Sequence, residues 1–220
     1  MGNAMIDSII FDLDGTLWDS AAACARCWTV TLAECGTAQP VTREDIASVL
    51  GKSPAEICEA WFVPRFGERA EELCRRCLAS ENPYLAEHGG QLYPMVEQRL
   101  RELSKRYRLF IVSNCSAGYI EAFLHCYDFD KLFCGHLCAD DTGLTKAQNA
   151  ELLVQRYALS PVFVGDMESD RACAEAVGCP FLHAAYGFGA VEKADAVLEN
   201  FDALPGLLMN LERKGGMRHV

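Results

Sequence analysis

Asp12 and Asp14 stand two positions apart in Asp12-Leu13-Asp14-Gly15, and a second pair of acids, Asp166 and Asp170, follows far downstream in Gly165-Asp166-Met167-Glu168-Ser169-Asp170. Between the two pairs lie Ser113-Asn114 and Lys146. Carboxylates gathered in one cleft repel one another unless a cation sits among them. An oxygen-only set of this kind suits Mg2+, which binds a few carboxylates, keeps waters and takes a substrate phosphate. A phosphate dianion meeting a carboxylate at about 4 Å faces a repulsion of roughly 4 kcal/mol per charge pair at an effective dielectric near 20. Lys146 is placed to supply the positive side chain that this encounter requires. The chemistry such residues would serve is that of a phosphorylated small molecule beside a divalent ion.

Each stretch alone has a duller meaning. Asp and Gly favour turns, Ser and Asn cap helices, an acid suits a helix N-terminus, and a single lysine is most often a solvated surface group. An EF-hand calcium loop fails: counted from Asp12, its obligatory Gly and final acid would fall on Leu17 and Ala23. What joins the stretches is the elements that precede them.

Residues 6–11 form a short apolar run that stops at a carboxylate and a turn, as a buried strand does. Strands are likewise expected at 109–112, before Ser113, and at 162–164, before Gly165-Asp166, with further ones at 134–139, 181–183 and 196–198. Helical patterns alternate with them at 95–107, 117–127, 146–157 and 169–177. This rhythm predicts an α/β fold with a doubly wound, mostly parallel sheet covered on both faces. Ligands of such sheets bind outside the carboxyl ends of the strands, where the polar stretches would converge.

Residues 19 to about 88 read as helical throughout. Helices are expected from 20 to 35 with Gly36 as the stop, after Thr42, from the start signal Ser53-Pro54-Ala55-Glu56, and from 69 to about 80. His88-Gly89-Gly90 is expected to be a flexible connection. The expected organisation is a core of residues 1–17 and 91–220 with an inserted all-helical cap of 18–90, the tail 214–220 being frayed.

Taken in order, Asp12-Leu13-Asp14-Gly15-Thr16-Leu17, Ser113, Lys146 and Gly165 to Asp170 resemble the motifs of the haloacid dehalogenase-like hydrolase superfamily, in its phosphoglycolate-phosphatase-like branch with a helical cap. The resemblance covers nearly the whole chain. It implies Mg2+-dependent hydrolysis of a small-molecule phosphomonoester through an aspartyl phosphate. Asp12 would be the nucleophile, and Asp14 the acid for the leaving alcohol and then the base for water. Ser113 and Asn114 would hydrogen-bond the phosphoryl oxygens, with Lys146 neutralising charge. Asp12, the Asp14 carbonyl and Asp166 would hold Mg2+, and Asp170 would order those ligands or their waters. The cap loop Gly51, Lys52 and Ser53 is expected to touch the substrate. Lys52 suits a carboxylate or second phosphate there, or is simply a solvated loop lysine.

Departures from the pattern are Ala147 after Lys146, where proline is frequent, and Trp18 in place of a smaller aliphatic residue, expected to narrow the mouth of the site. Asp14 speaks against halide chemistry. A phosphomutase of the β-phosphoglucomutase type is the alternative on the same fold, although such mutases commonly carry Glu where Gly165 stands.

The chain has 220 residues, 50% hydrophobic and 23% charged, which suits an ordinary globular protein. Its net charge of -11 argues against nucleic acid or an anionic membrane as partner. No stretch is apolar enough for a membrane span, and MGNAMIDSII lacks the basic and long apolar regions of a secretory signal. The expected setting is therefore cytoplasmic, with the chain a monomer or homodimer. Twelve cysteines in such a setting are expected to be reduced, buried small hydrophobes. The pairs Cys24/Cys27 and Cys74/Cys77 have spacing that would in principle serve zinc, but no turn or knuckle surrounds either, so packing is the expectation.

Overall fold

The computed structural model describes residues 6–216, and the expectation for 217–220 lies outside them. The chain opens with β1 (Ser8–Phe11) and a two-residue strand β2 (Trp18–Asp19). Helices follow: α1 (Ala21–Glu34), α2 (Arg43–Ala47), α3 (Pro54–Ile57), α4 (Val63–Phe66) and α5 (Ala70–His88). After β3 (Gln91–Leu92) come α6 (Val96–Leu103), β4 (Arg108–Ser113), α7 (Tyr119–Cys126), β5 (Phe133–Cys138) and α8 (Ala139–Thr142). The chain continues through α9 (Lys146–Tyr157), β6 (Pro161–Gly165), α10 (Glu168–Val177), β7 (Phe181–Ala184), β8 (Ala196–Leu198) and α11 (Leu204–Gly216).

Six strands form one parallel sheet in the order β5-β4-β1-β6-β7-β8. The chain winds outward from β1 through β4 to β5, returns to β6 on the other side of β1, and winds outward again. The order thus reverses beside β1, where open α/β sheets bind ligands. Alternate residues of the strands feed two apolar layers. Ile10, Phe110 and Phe163 pack with Leu153 of α9 and Ala174 of α10 on one face. Ile9, Phe11 and Ile111 pack with Leu100 of α6, Phe123 of α7 and Leu208 of α11 on the other. That second layer runs on into the helical insertion through Trp28, Trp61 and Leu73.

Local signals explain the starts of the insertion's helices. Thr42 and Ser53 each accept from the backbone N–H three residues on, while Asp45 and Glu56 reach back, which completes two capping boxes. The four cysteines of the CxxC pairs are buried free thiols on α1 and α5, helices that pack along one another.

Four expectations need correction. Helix α5 does not stop near Ser80 but runs to His88 with Pro83 inside it. Gly89-Gly90 is no flexible connection, for β3 pairs antiparallel with β2 and the Tyr127 hydroxyl donates to the Gly90 carbonyl at 2.7 Å. A Cβ on Gly90 would lie 2.8 Å from the Asp19 carbonyl oxygen, so close approach is what glycine permits there. Trp18 does not narrow a mouth: its ring is fully buried, edge-on to Phe123 at 5.0 Å and Tyr119 at 5.8 Å. Residues 214–216, expected to be frayed, continue α11.

Candidate active site

Register brings the polar stretches together. Phe11, the last residue of β1, lies level with Ile111 of β4 and Val164 of β6. Asp12 therefore emerges between the strand end carrying Ser113 and the one carrying Asp166, and its N–H donates to the Val164 carbonyl at 2.9 Å. Lys146 is set by α9, whose first residue it is, behind a Thr145–Gln148 capping box.

Buried carboxylates crowd this point. Oxygens of Asp12, Asp166 and Asp170 all lie within 4.8 Å of one another. The Lys146 ammonium donates to Asp12 Oδ1 and stands 2.6 Å from Asp170 Oδ1. Asp170 Oδ2 accepts from the Met167 N–H at 2.9 Å. Asp166 Oδ2 accepts from the N–H groups of Phe188 at 2.8 Å and Gly189 at 3.1 Å, while its Oδ1 is buried without a partner. Gly15 closes the floor: its φ is +84°, and a Cβ there would fall 2.3 Å from Asp166 Oδ2.

The electrostatics follow from three acids sharing one ammonium. Burial, then the Asp170 charge, pushes Asp12 well above the usual carboxylate range, against the pull of Lys146. Asp166 rises to about 6, from burial and the same neighbour. Burial opposes the charge on Lys146, but Asp12 and Asp170 outweigh it and raise its pKa. The lysine keeps its proton, and the excess is negative. An unpartnered buried oxygen, an all-carboxylate donor set and that excess fit a hard divalent cation.

Asp14 sits apart from this cluster. The Ser20 hydroxyl donates to its Oδ1 at 2.5 Å, and the Tyr119 hydroxyl lies 3.1 Å from that oxygen and 2.8 Å from Ser20 Oγ. Burial raises Asp14 to about 7, against the Ser20 hydrogen bond and with the Asp12 charge adding to it. An acid so tuned is able to hold and give a proton near neutrality.

Asp12, Asp14 and Ser113 form one wall of a narrow cleft, and the helical insertion forms the other. Gly51 and Lys52 line it, whereas the Ser53 hydroxyl is spent on Glu56. The Asn114 amide donates to the Gly51 carbonyl at 2.9 Å, tying the insertion's loop to the end of β4. Sequence reasoning missed Ser20, Tyr119 and the Phe188-Gly189 amides. Only the last had a signal, the Gly187-Phe188-Gly189 spacing. It also missed Trp28, Glu81 and Ser116 on the cleft wall.

A family profile described as haloacid dehalogenase-like hydrolase matches residues 9–184. A phosphoglycolate phosphatase of Yersinia pestis is 28% identical over 218 residues, covering 92% of this chain and 93% of that one. One from Photorhabdus laumondii is 29% identical over 213 residues, covering 90% and 91%. Among solved structures, a haloacid dehalogenase-like family hydrolase of Streptococcus pneumoniae superposes with a TM-score of 0.76 at 22% identity, over 92% of this chain and 99% of that one.

Proposed function

The chain belongs to the haloacid dehalogenase-like hydrolase family, and from that premise we propose that it is a Mg2+-dependent phosphatase acting on a small-molecule phosphomonoester. The observation that carries this reading is the Lys146 ammonium held between Asp12 and Asp170, beside the unpartnered Asp166 oxygen. The relatives named phosphoglycolate phosphatase support the reaction class.

In this reading Asp12 attacks phosphorus as the bond to the ester oxygen breaks, and an aspartyl phosphate forms. Asp14, raised to about 7, gives its proton to the departing oxygen. It then takes a proton from the water that attacks the same phosphorus, which frees Asp12 and releases phosphate. Ser113 and Lys146 hold the phosphoryl oxygens, and Lys146 offsets their charge as it spreads in the transition state. Asp12, Asp166 and the Asp14 carbonyl would hold Mg2+, with Asp170 orienting them; the ion when bound would neutralise phosphoryl charge. Asn114, proposed from sequence to hold phosphate, has its amide on Gly51 here, which suits a tie between core and cap loop.

The division into a core of 1–17 and 91–220 and a cap of 18–90 belongs to the same proposal, with the cap excluding water and selecting the leaving group. A cytoplasmic setting is also part of it. Among the described residues no helix is long and apolar enough to cross a membrane. No observation favours the mutase alternative: a Cβ at Gly165 would lie 2.4 Å from the Asp170 carboxyl, leaving no room for the glutamate such enzymes carry. The test is phosphate release from a panel of metabolite phosphomonoesters, with and without Mg2+. Release that chelation abolishes is expected; isomerised ester without free phosphate would overturn hydrolysis.

A further inference from the structure

The far wall of the cleft holds an acid that the proposed chemistry does not use. Glu81, on the part of α5 beyond Ser80, is 6% exposed and lines the cavity together with Trp28, Cys24 and Leu78. The Trp28 indole N–H donates to its Oε1 at 2.5 Å. Around it stand Asp14 from the loop after β1, Cys24 and Cys27 from α1, Cys77 from α5 and Tyr119 from α7. Every one of these groups is acidic or neutral, and no ion pair to Glu81 exists among the described residues. An ionised carboxylate so buried costs several kcal/mol unless a cation meets it. Lys52 lines the same cleft from the insertion's loop, where its charge bears on the Glu56 carboxylate and it makes no ion pair with Glu81.

We propose that Glu81 and the Trp28 ring form an ammonium subsite, so that the preferred substrate is the phosphate monoester of a short amino alcohol. This rests on the phosphatase reading and names its substrate class. The ammonium gives Glu81 the counter-charge that no ion pair of the chain supplies, and the Trp28 indole N–H holds the carboxylate that receives it. A leaving group ending in a carboxylate gains no such ion pair from Glu81, whose Oε1 already accepts from the Trp28 indole N–H. Burial, with the Asp14 charge adding to it, lifts Glu81 to about 8 against the hydrogen bonds of Trp28 and Cys24, and a cation beside the carboxylate would favour its ionised form.

The experiment separates binding from turnover. Calorimetry with the Asp12→Asn variant and Mg2+ measures binding of 2-aminoethyl phosphate, 2-hydroxyethyl phosphate and phosphoglycolate. Phosphate release from 4-nitrophenyl phosphate by the unaltered chain reports separately on the phosphatase reading. The aminoethyl ester is expected to bind at least about tenfold more tightly than phosphoglycolate, the factor that one contact of about 1.4 kcal/mol supplies. Adding Glu81→Gln is expected to bring that ratio close to one. Should the double variant fail to fold, the ratio in the single variant decides. Phosphoglycolate binding as tightly as the aminoethyl ester, or no binding of the latter, overturns the subsite whatever the fate of 4-nitrophenyl phosphate.

Discussion

At the strand-end wall of the cleft, charge meets charge at close range: Lys146 between Asp12 and Asp170, Asp170 on the Met167 amide, Asp166 on two more. At the helical wall Glu81 has the Trp28 indole N–H and, among the described residues, no ion pair. Both walls are buried, so the difference is not one of solvent. The first is built around fixed partners, as the proposed phosphatase chemistry requires of groups that must be in place before phosphate arrives. The second, on the proposed reading, ionises when an entering ammonium supplies its counter-charge. On the proposed reading, chemistry belongs to the sheet and selection to the inserted helices.

The comparison is broken most sharply at Lys146. Lys146→Ala is expected to lower kcat/KM by about two to three orders of magnitude, the usual cost of losing one preorganised group aimed at developing charge. Steady-state phosphate release on any accepted ester checks this. Lys146→Arg is expected not to restore the rate, since a planar guanidinium does not fit where an ammonium sits between Asp12 and Asp170. Activity within a fewfold of the unaltered chain would place the needed charge elsewhere.

A smaller effect sharpens the comparison at the other wall. The Glu81 carboxyl rises from 4.5 to about 8 on folding. Between these values the unfolded chain has lost the proton and the folded chain keeps it, so Glu81's contribution to stability is whole below about 4.5 and lost as pH rises toward 8. A glutamine does not titrate. Melting of Glu81→Gln relative to the unaltered chain is therefore expected to improve by several degrees from pH 5 to pH 8. Parallel curves across that window would mean that Glu81 already has a cation.

The sequence made the first wall legible and left the second obscure, for a physical reason. Asp12, Ser113 and Asp166 follow apolar runs, and parallel strands bring their carboxyl ends level whatever lies between. Lys146 opens a helix with a readable cap. By contrast, Trp28 and Glu81 sit on helices where period alone says that a face is buried, not whether it meets core or cleft. Glu81 also lies past the point where the pattern of α5 weakened, and Asn82 beyond it reaches the Ala117 carbonyl at 2.6 Å, a contact that only tertiary packing creates. The ribbon of β2 and β3 has two residues a side, too few for an alternation to register. Ser20 and Tyr119 converge on Asp14 from elements whose sequences carry no sign of it.

The central claim is that Asp12 takes the phosphoryl group. Acid-quenching the chain during turnover with Mg2+ and a good substrate, then mapping peptides by mass spectrometry, tests it directly. One phosphoryl group on the peptide that spans β1 and Asp12, absent from Asp12→Asn, is the predicted result. Steady turnover with that peptide unmodified in every quench, or the group on another side chain, would contradict it.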